Sequence, residues 1–72
     1  MTILLLAGTS EAKQIATALA VLEIDAVASL AGVTRAPVPL DLPTRHGGFG
    51  GEDGFRSYLK EASITAVIDA TH

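Results

Sequence analysis

Residues 4–11 read Leu4-Leu5-Leu6-Ala7-Gly8-Thr9-Ser10-Glu11, an apolar run that breaks at a glycine and passes into a helix start. Short apolar runs bounded by turn residues are typical of strands that are buried on both faces. The first backbone N–H groups of a helix have no partner within the helix, and they lie at the positive end of its dipole. This segment therefore predicts both an α/β fold and a seat for a phosphate group.

The composition predicts one small domain without covalent cross-links. The 72 residues contain no cysteine, which excludes disulfides and thiolate metal sites, and the net charge of −3 includes no cationic cluster. Nucleic acid and an anionic membrane surface are therefore not expected as main partners. The apolar runs are too short to span a membrane and no leader peptide is evident, so we expect a cytoplasmic protein. A chain of this size has only a small hydrophobic core, so we expect it to be part of a larger protein.

The apolar periodicity predicts four strands and two helices. We expect strands over residues 2–7, 25–30, 43–46 and 65–70, and helices over residues 10–22 and 52–62. Prolines at positions 37, 39 and 43 predict an extended path for residues 31–42 along the rim of the sheet. The first strand, helix and second strand form a right-handed β-α-β unit with parallel strands. We therefore expect an α/β, Rossmann-like parallel sheet of order 3-2-1-4, with ligands at the carboxyl ends of the strands near the switch between strands one and four.

Three segments at those strand ends are candidate ligand contacts. The turn over Gly8, Thr9, Ser10 and Glu11 offers free N–H groups and two hydroxyls for a phosphate, although a plain steric turn remains the alternative. Strand two ends at Ser29 without the acid that binds the ribose of NAD, about 20 residues after the first glycine. Ser29, Thr34 and Arg35 instead suit a ribose with a 2′-phosphate, since an arginine grips a phosphate with two hydrogen bonds.

The third segment is the glycine-rich run Gly47-Gly48-Phe49-Gly50-Gly51. Four glycines let the backbone approach a flat ligand closely, with Phe49 free to cover it. The alternative is a hinge, or a turn that needs positive φ angles.

Other residues offer less chemistry. His46 and His72 lack metal-ligand spacing, so no metal site is expected. His46 is interpreted as structural or exposed, and His72, at the rim near the switch, is the one candidate for a proton donor. Asp69 is expected to cap the loop that follows strand four.

With these segments in place, the chain resembles the N-terminal half of the precorrin-6A reductase family. The likeness runs from end to end, through four short motifs in order: residues 4–12, Ser29-Leu30-Ala31-Gly32, residues 47–51 and residues 68–72. The sequence departs from the family's pattern at Ala7, Lys13 and Val33, where the family usually has glycine, arginine and arginine; Arg35, two residues after Val33, is the candidate substitute.

The resemblance implies that residues 1–72 form the dinucleotide-binding domain of an NADPH-dependent reductase in cobalamin biosynthesis. It implies hydride transfer to precorrin-6A, giving dihydroprecorrin-6, with the tetrapyrrole in a cleft between this domain and a C-terminal domain absent from the chain. The cofactor would be surrounded by the first turn, by the segment that contains Ala31 and Gly32, and by the loop that contains Gly47, Gly48, Phe49 and Gly50. The fragment alone is expected to be inactive.

Two alternatives remain from the sequence. One is a non-catalytic nucleotide-binding module of the same fold, because a fold does not fix a function. The other is a sugar-nucleotide or short-chain reductase relative, which normally carries a Tyr-x-x-x-Lys pair. Here Tyr58 is followed by Ala62 at that spacing, so the pair is absent. The oligomeric state is left open.

Overall fold

The computed structural model describes residues 1–30 and 40–71, and they form an α/β unit with one parallel sheet. The strands are β1 (Thr2–Ala7), β2 (Ala26–Leu30), β3 (Thr44–His46) and β4 (Ile64–Asp69), and the helices are α1 (Ser10–Val21) and α2 (Gly51–Glu61). The strand order is β3-β2-β1-β4, and every pair is parallel. The predicted elements and sheet order are therefore confirmed, with element bounds that differ by one residue at most.

The central strand β1 carries the core on both of its faces. Leu4 and Leu5 are fully buried, and successive side chains of a strand point to opposite faces. Leu5 belongs to the cluster that packs beneath α1, whereas Leu4 does not, so the sheet is covered on two sides. The cluster under α1 is built from small and aliphatic side chains: Leu5, Ala7, Ala12, Ala16, Leu19, Ala26, Ala28 and Leu42.

Helix α1 is capped at both ends by local hydrogen bonds. Thr9 has extended N-cap geometry, and its hydroxyl oxygen accepts a bond from the N–H of Ala12. At the other end the N–H groups of Glu23 and Ile24 donate to the carbonyls of Ala20 and Leu19 at 3.1 and 3.0 Å. This pattern is a Schellman motif, and it places Glu23 at φ 56°, in a left-handed conformation that glycine usually supplies.

Helix α2 starts from a glycine and packs through one stripe. Gly50 is its N-cap at φ 85°. The stripe predicted from the sequence is half-buried along its length, at Phe55, Tyr58, Leu59 and Ala62. Gly54 lies against the preceding loop, where a Cβ atom would overlap the carbonyl oxygen of Phe49.

Several predictions made from the sequence lie outside the described residues. They concern Ala31, Gly32, Thr34 and Arg35 after β2, most of the extended segment 31–42, and His72. Among the described helices, neither has the length and apolar character that crossing a bilayer requires.

Candidate functional site

The predicted ligand segments meet at one edge of the sheet. All four strands are parallel, so their carboxyl ends, at Ala7, Leu30, His46 and Asp69, lie along the same edge. The β1–α1 turn and the end of β4 adjoin there because β1 and β4 are neighbours. The end of β2 adjoins the end of β3 and the loop that follows it.

The β1–α1 turn is open where a ligand would approach. Gly8 is exposed at φ 155°, and a Cβ atom placed on it would meet no atom of the described part of the chain within 4 Å. Ser10 and Glu11 are exposed in the first turn of α1, whose N–H groups have no partner inside the helix. The N–H of Ala12 is already bonded to Thr9, so the amides of Ser10 and Glu11 are the ones left for an anion.

Thr9 ties this turn to the end of β4. Its hydroxyl donates to the carbonyl of Ala70 at 2.7 Å while it accepts from Ala12 at 3.2 Å. The sequence predicted a hydroxyl beside the phosphate seat, and the structure uses the single proton of that hydroxyl for an internal bond. Thr9 therefore fixes the spacing across the β1–β4 switch point.

The turn after β4 is ordered by Asp69. Its carboxylate oxygen Oδ1 accepts from the hydroxyl of Thr71 at 2.6 Å and from the N–H of Thr71 at 3.1 Å. These bonds, the hydroxyl bond above all, lower the pKa of the Asp69 carboxyl from its ordinary value, while burial opposes them weakly. The predicted capping role of Asp69 is confirmed.

At the β2–β3 end of the same edge, Arg45 holds the glycine loop in place. Its Nη1 donates to the hydroxyl of Ser29 at 2.9 Å and to the carbonyl of Gly47 at 3.2 Å, and its Nη2 donates to the carbonyl of Gly48 at 3.1 Å. The guanidinium carbon also lies 4.0 Å from the centre of the Phe49 ring and 5.0 Å from that of Tyr58. We call these five residues (Ser29, Arg45, Gly47, Gly48, Phe49) with Tyr58 the Arg45 cluster.

The cluster gives Phe49 and Ser29 partners within the protein, and their contacts with a ligand remain predictions. Phe49 was expected to be free to cover a ligand, but its half-buried ring packs against Phe55 and Tyr58, with ring centres 4.9 and 5.2 Å apart. Ser29 was expected to offer its hydroxyl to a ribose, but it is only 4 % exposed and is bonded to Arg45.

The glycines of the loop are largely explained by backbone conformation. Gly47, Gly50 and Gly51 have φ angles of 95°, 85° and 83°, a region that side chains rarely allow. Gly48 has no positive φ. The conformational alternative raised by the sequence thus accounts for three of the four glycines in Gly47–Gly51, and ligand contact remains a proposal for the loop.

Sequence reasoning missed Arg45. The signal was available: a cation two residues before paired glycines, with an aromatic four positions after it, in Arg45-His46-Gly47-Gly48-Phe49. His46 itself is exposed, as expected. Within residues 1–30 and 40–71, no group of three or more His, Asp or Glu side chains is placed to hold a metal ion.

Comparison with known proteins shows which family the chain belongs to. Residues 2–72 match the family model described as Precorrin-6x reductase CbiJ/CobK. The chain belongs to this precorrin-6x reductase family. The family excludes the short-chain reductase alternative, and Tyr58, which that alternative would have needed, is part of the Arg45 cluster.

Relatives within the precorrin-6x reductase family are close in sequence and in structure. The precorrin-6A reductase of Rhodobacter capsulatus is 51 % identical over 70 residues, which is 97 % of this chain and 28 % of the relative. The Mycobacterium tuberculosis precorrin-6A reductase is 46 % identical over 70 residues, again 97 % of this chain and 28 % of the relative. The solved structure named CobK precorrin-6A reductase superposes with a TM-score of 0.95 at 50 % identity, covering 100 % of this chain and 29 % of that one. The chain thus spans under a third of the length of the relatives it matches.

Proposed function

We propose that this chain is the cofactor-binding part of an NADPH-dependent precorrin-6A reductase of cobalamin biosynthesis. Membership of the precorrin-6x reductase family carries the reductase assignment. The open β1–α1 turn at the switch point of a parallel sheet supports the cofactor assignment, because dinucleotides bind at such crevices.

The β1–α1 turn fits the pyrophosphate of a dinucleotide. Gly8 has no side chain, and among the described residues no atom lies within 4 Å of the place that a Cβ atom would take, so backbone and phosphate can approach closely. The amides of Ser10 and Glu11 then donate to phosphate oxygens at the positive end of α1. The Glu11 carboxylate contributes no attraction to a phosphate, so its backbone N–H is the group that binds.

The preference for NADPH over NADH rests on the segment after β2. Thr34 and Arg35 supply a hydroxyl and a cation where the 2′-phosphate of NADPH would lie. Ser29 lies at the end of β2, immediately before Leu30, and its hydroxyl accepts a hydrogen bond from Arg45.

When bound, NADPH supplies the hydride, and the protein's part is to orient the nicotinamide and exclude water. The chain's own residues act on the phosphates and the ribose, through the β1–α1 turn, the segment after β2 and the glycine loop. The precorrin-6A tetrapyrrole is assigned by family, because the relatives carry that name.

Binding to the full chain tests the proposal. Titration with NADPH, monitored by calorimetry and by amide NMR shifts, should give saturable binding. The largest amide shifts should occur at Gly8, Ser10 and Glu11. NADH should bind at least tenfold more weakly, and Arg35→Ala should reduce that selectivity, because the 2′-phosphate loses its cation.

Two substitutions in the turn and one control check where the pyrophosphate binds. Gly8→Ala should raise the Kd for NADPH at least tenfold, because its methyl group enters the space that the pyrophosphate needs. Ser10→Ala should weaken binding by a smaller factor, and the control Ser57→Ala, an exposed serine within α2, should leave the Kd unchanged. Equal binding of NADH and NADPH, or amide shifts away from residues 8–11, would overturn the assignment in favour of the non-catalytic module.

A further inference from the structure

We propose that Arg45 is a positioning residue of the cofactor site: it sets the distance between the end of β2 and the glycine loop and thereby shapes the surface that the nucleotide contacts. The inference rests on the proposed function for the identity of the ligand. The clamp itself rests on three hydrogen bonds and two aromatic contacts of one guanidinium.

The polar side of the clamp fixes the backbone of the loop. The carbonyls of Gly47 and Gly48 are consecutive, and Arg45 donates to both, so two successive peptide planes are held in one orientation. Among residues 1–30 and 40–71, no atom lies within 4 Å of the Cβ position of either glycine, so no packing among these residues replaces the clamp there. One further bond, from the N–H of Gly47 to the carbonyl of Leu30 at 2.8 Å, links the start of the loop to β2.

The aromatic side of the clamp connects the loop to α2. The guanidinium lies over the Phe49 ring, and this ring in turn meets Phe55 and Tyr58 of the helix. A planar cation suits this arrangement because it stacks on a ring and donates hydrogen bonds in its own plane at the same time. Helix α2 is therefore held to β3 through Arg45 and Phe49.

The third anchor is Ser29, at the end of β2. Its buried hydroxyl accepts from the same Nη1 atom that donates to Gly47. Ser29 and the glycine loop are both among the contacts that the sequence predicts for the nucleotide. Arg45 joins them without itself being a predicted ligand contact, so it acts through the loop.

Arg45→Ala and Arg45→Lys in the full chain test the inference. Each variant should raise the Kd for NADPH and the Kd for NADH by the same factor, so that the ratio of the two Kd values stays constant. For Arg45→Ala that factor should be tenfold or more. Lysine should not restore binding, because a single ammonium group cannot bond Ser29 and two carbonyls together. Added guanidinium ion should partly restore binding by Arg45→Ala.

The matched control is Arg56, an exposed arginine of α2 that pairs with Glu52 at 2.7 Å. Arg56→Ala should change neither Kd. Circular dichroism and the unfolding temperature check that each variant is folded before its Kd is compared. If Arg45→Ala fails to fold, the comparison is made with Arg45→Lys.

The possible outcomes separate the two proposals. Loss of NADPH binding alone would make Arg45 a direct ligand of the 2′-phosphate and overturn the positioning role. A lower unfolding temperature with unchanged Kd values would reduce it to a structural residue. If the unsubstituted chain binds neither nucleotide, the proposed function fails. The clamp is then tested by NMR shifts and order parameters of Gly47 and Gly48. If Arg45→Ala leaves these unchanged, the clamp is overturned as well.

Discussion

Asp69 shows how one side chain shapes the edge of the sheet where the candidate site lies. Its carboxylate accepts two bonds from Thr71, and Thr9 bonds the carbonyl of Ala70 between them. The bonds to Thr71 favour the ionised carboxylate, which is why the pKa of Asp69 lies below its ordinary value. A group with a lowered pKa stabilises the folded state above its unfolded pKa, and this contribution is lost as the pH falls through the folded pKa.

The corresponding prediction concerns the acid side of the stability profile. In an NMR titration, the Asp69 carboxyl of the folded chain should titrate at lower pH than in the urea-unfolded chain. Thr71→Val should raise its pKa towards the ordinary value, because the larger cause, the hydroxyl bond, is removed. Asp69→Asn should abolish this part of the acid-induced loss of stability. An unchanged pKa in Thr71→Val would show that the hydroxyl bond is not the cause.

At the scale of elements, the end of α1 carries a residue that its backbone does not favour. Glu23 occupies the left-handed position of the Schellman motif, at φ 56°, where a Cβ atom is strained. Glu23→Gly should therefore stabilise the chain by about 0.5–1 kcal/mol, after the greater freedom of glycine in the unfolded state is subtracted. Thermal and denaturant unfolding measure this. Glu23→Ala is the control and should give no gain, because alanine keeps the Cβ atom; a gain of equal size would assign the effect to charge.

The elements themselves could be predicted because each has a local signal. The apolar run of β1, the Thr9 cap and the stripe of α2 are all readable from sequence spacing, and the sheet order is the one expected for a nucleotide-binding α/β sheet. The contacts of Arg45 could not be predicted in this way. They join residues on β2, β3, the loop and α2, which become neighbours only after the sheet has formed.

Gly54 has a role within one helix that its sequence position does not reveal. In the sequence it is a helix-weakening residue in the first turns of α2. In the structure it is the place where that helix and the carbonyl of Phe49 are too close for a Cβ atom. The packing of Phe49 against Phe55 and Tyr58 could not be predicted for a related reason, since the aromatic partners of a side chain depend on the folded loop and helix together.

At the scale of the whole molecule, the candidate site is open to solvent in the described part of the chain. Gly8, Ser10, Asp69 and Thr71 are exposed along the carboxyl edge of the sheet, and Val67 of β4 is 42 % exposed. Hydride transfer requires the donor and acceptor atoms to be held in contact with water excluded. The relatives have more than three times the length of this chain, which leaves room for the segments that complete such a site.

We therefore expect the 72-residue chain to bind NADPH but not to oxidise it in the presence of precorrin-6A. A chimera in which this chain replaces the matched segment of the Rhodobacter capsulatus reductase should recover turnover. The reason is that 51 % identity and a shared fold preserve the contacts between this segment and the rest of the reductase. The readout is loss of NADPH absorbance that depends on precorrin-6A. In the same chimera, Gly8→Ala should raise the KM for NADPH, whereas Ser57→Ala should not. Turnover by the isolated chain would show that the exposed edge is sufficient, and an inactive chimera that still binds NADPH would show that the chain's contribution ends at cofactor binding.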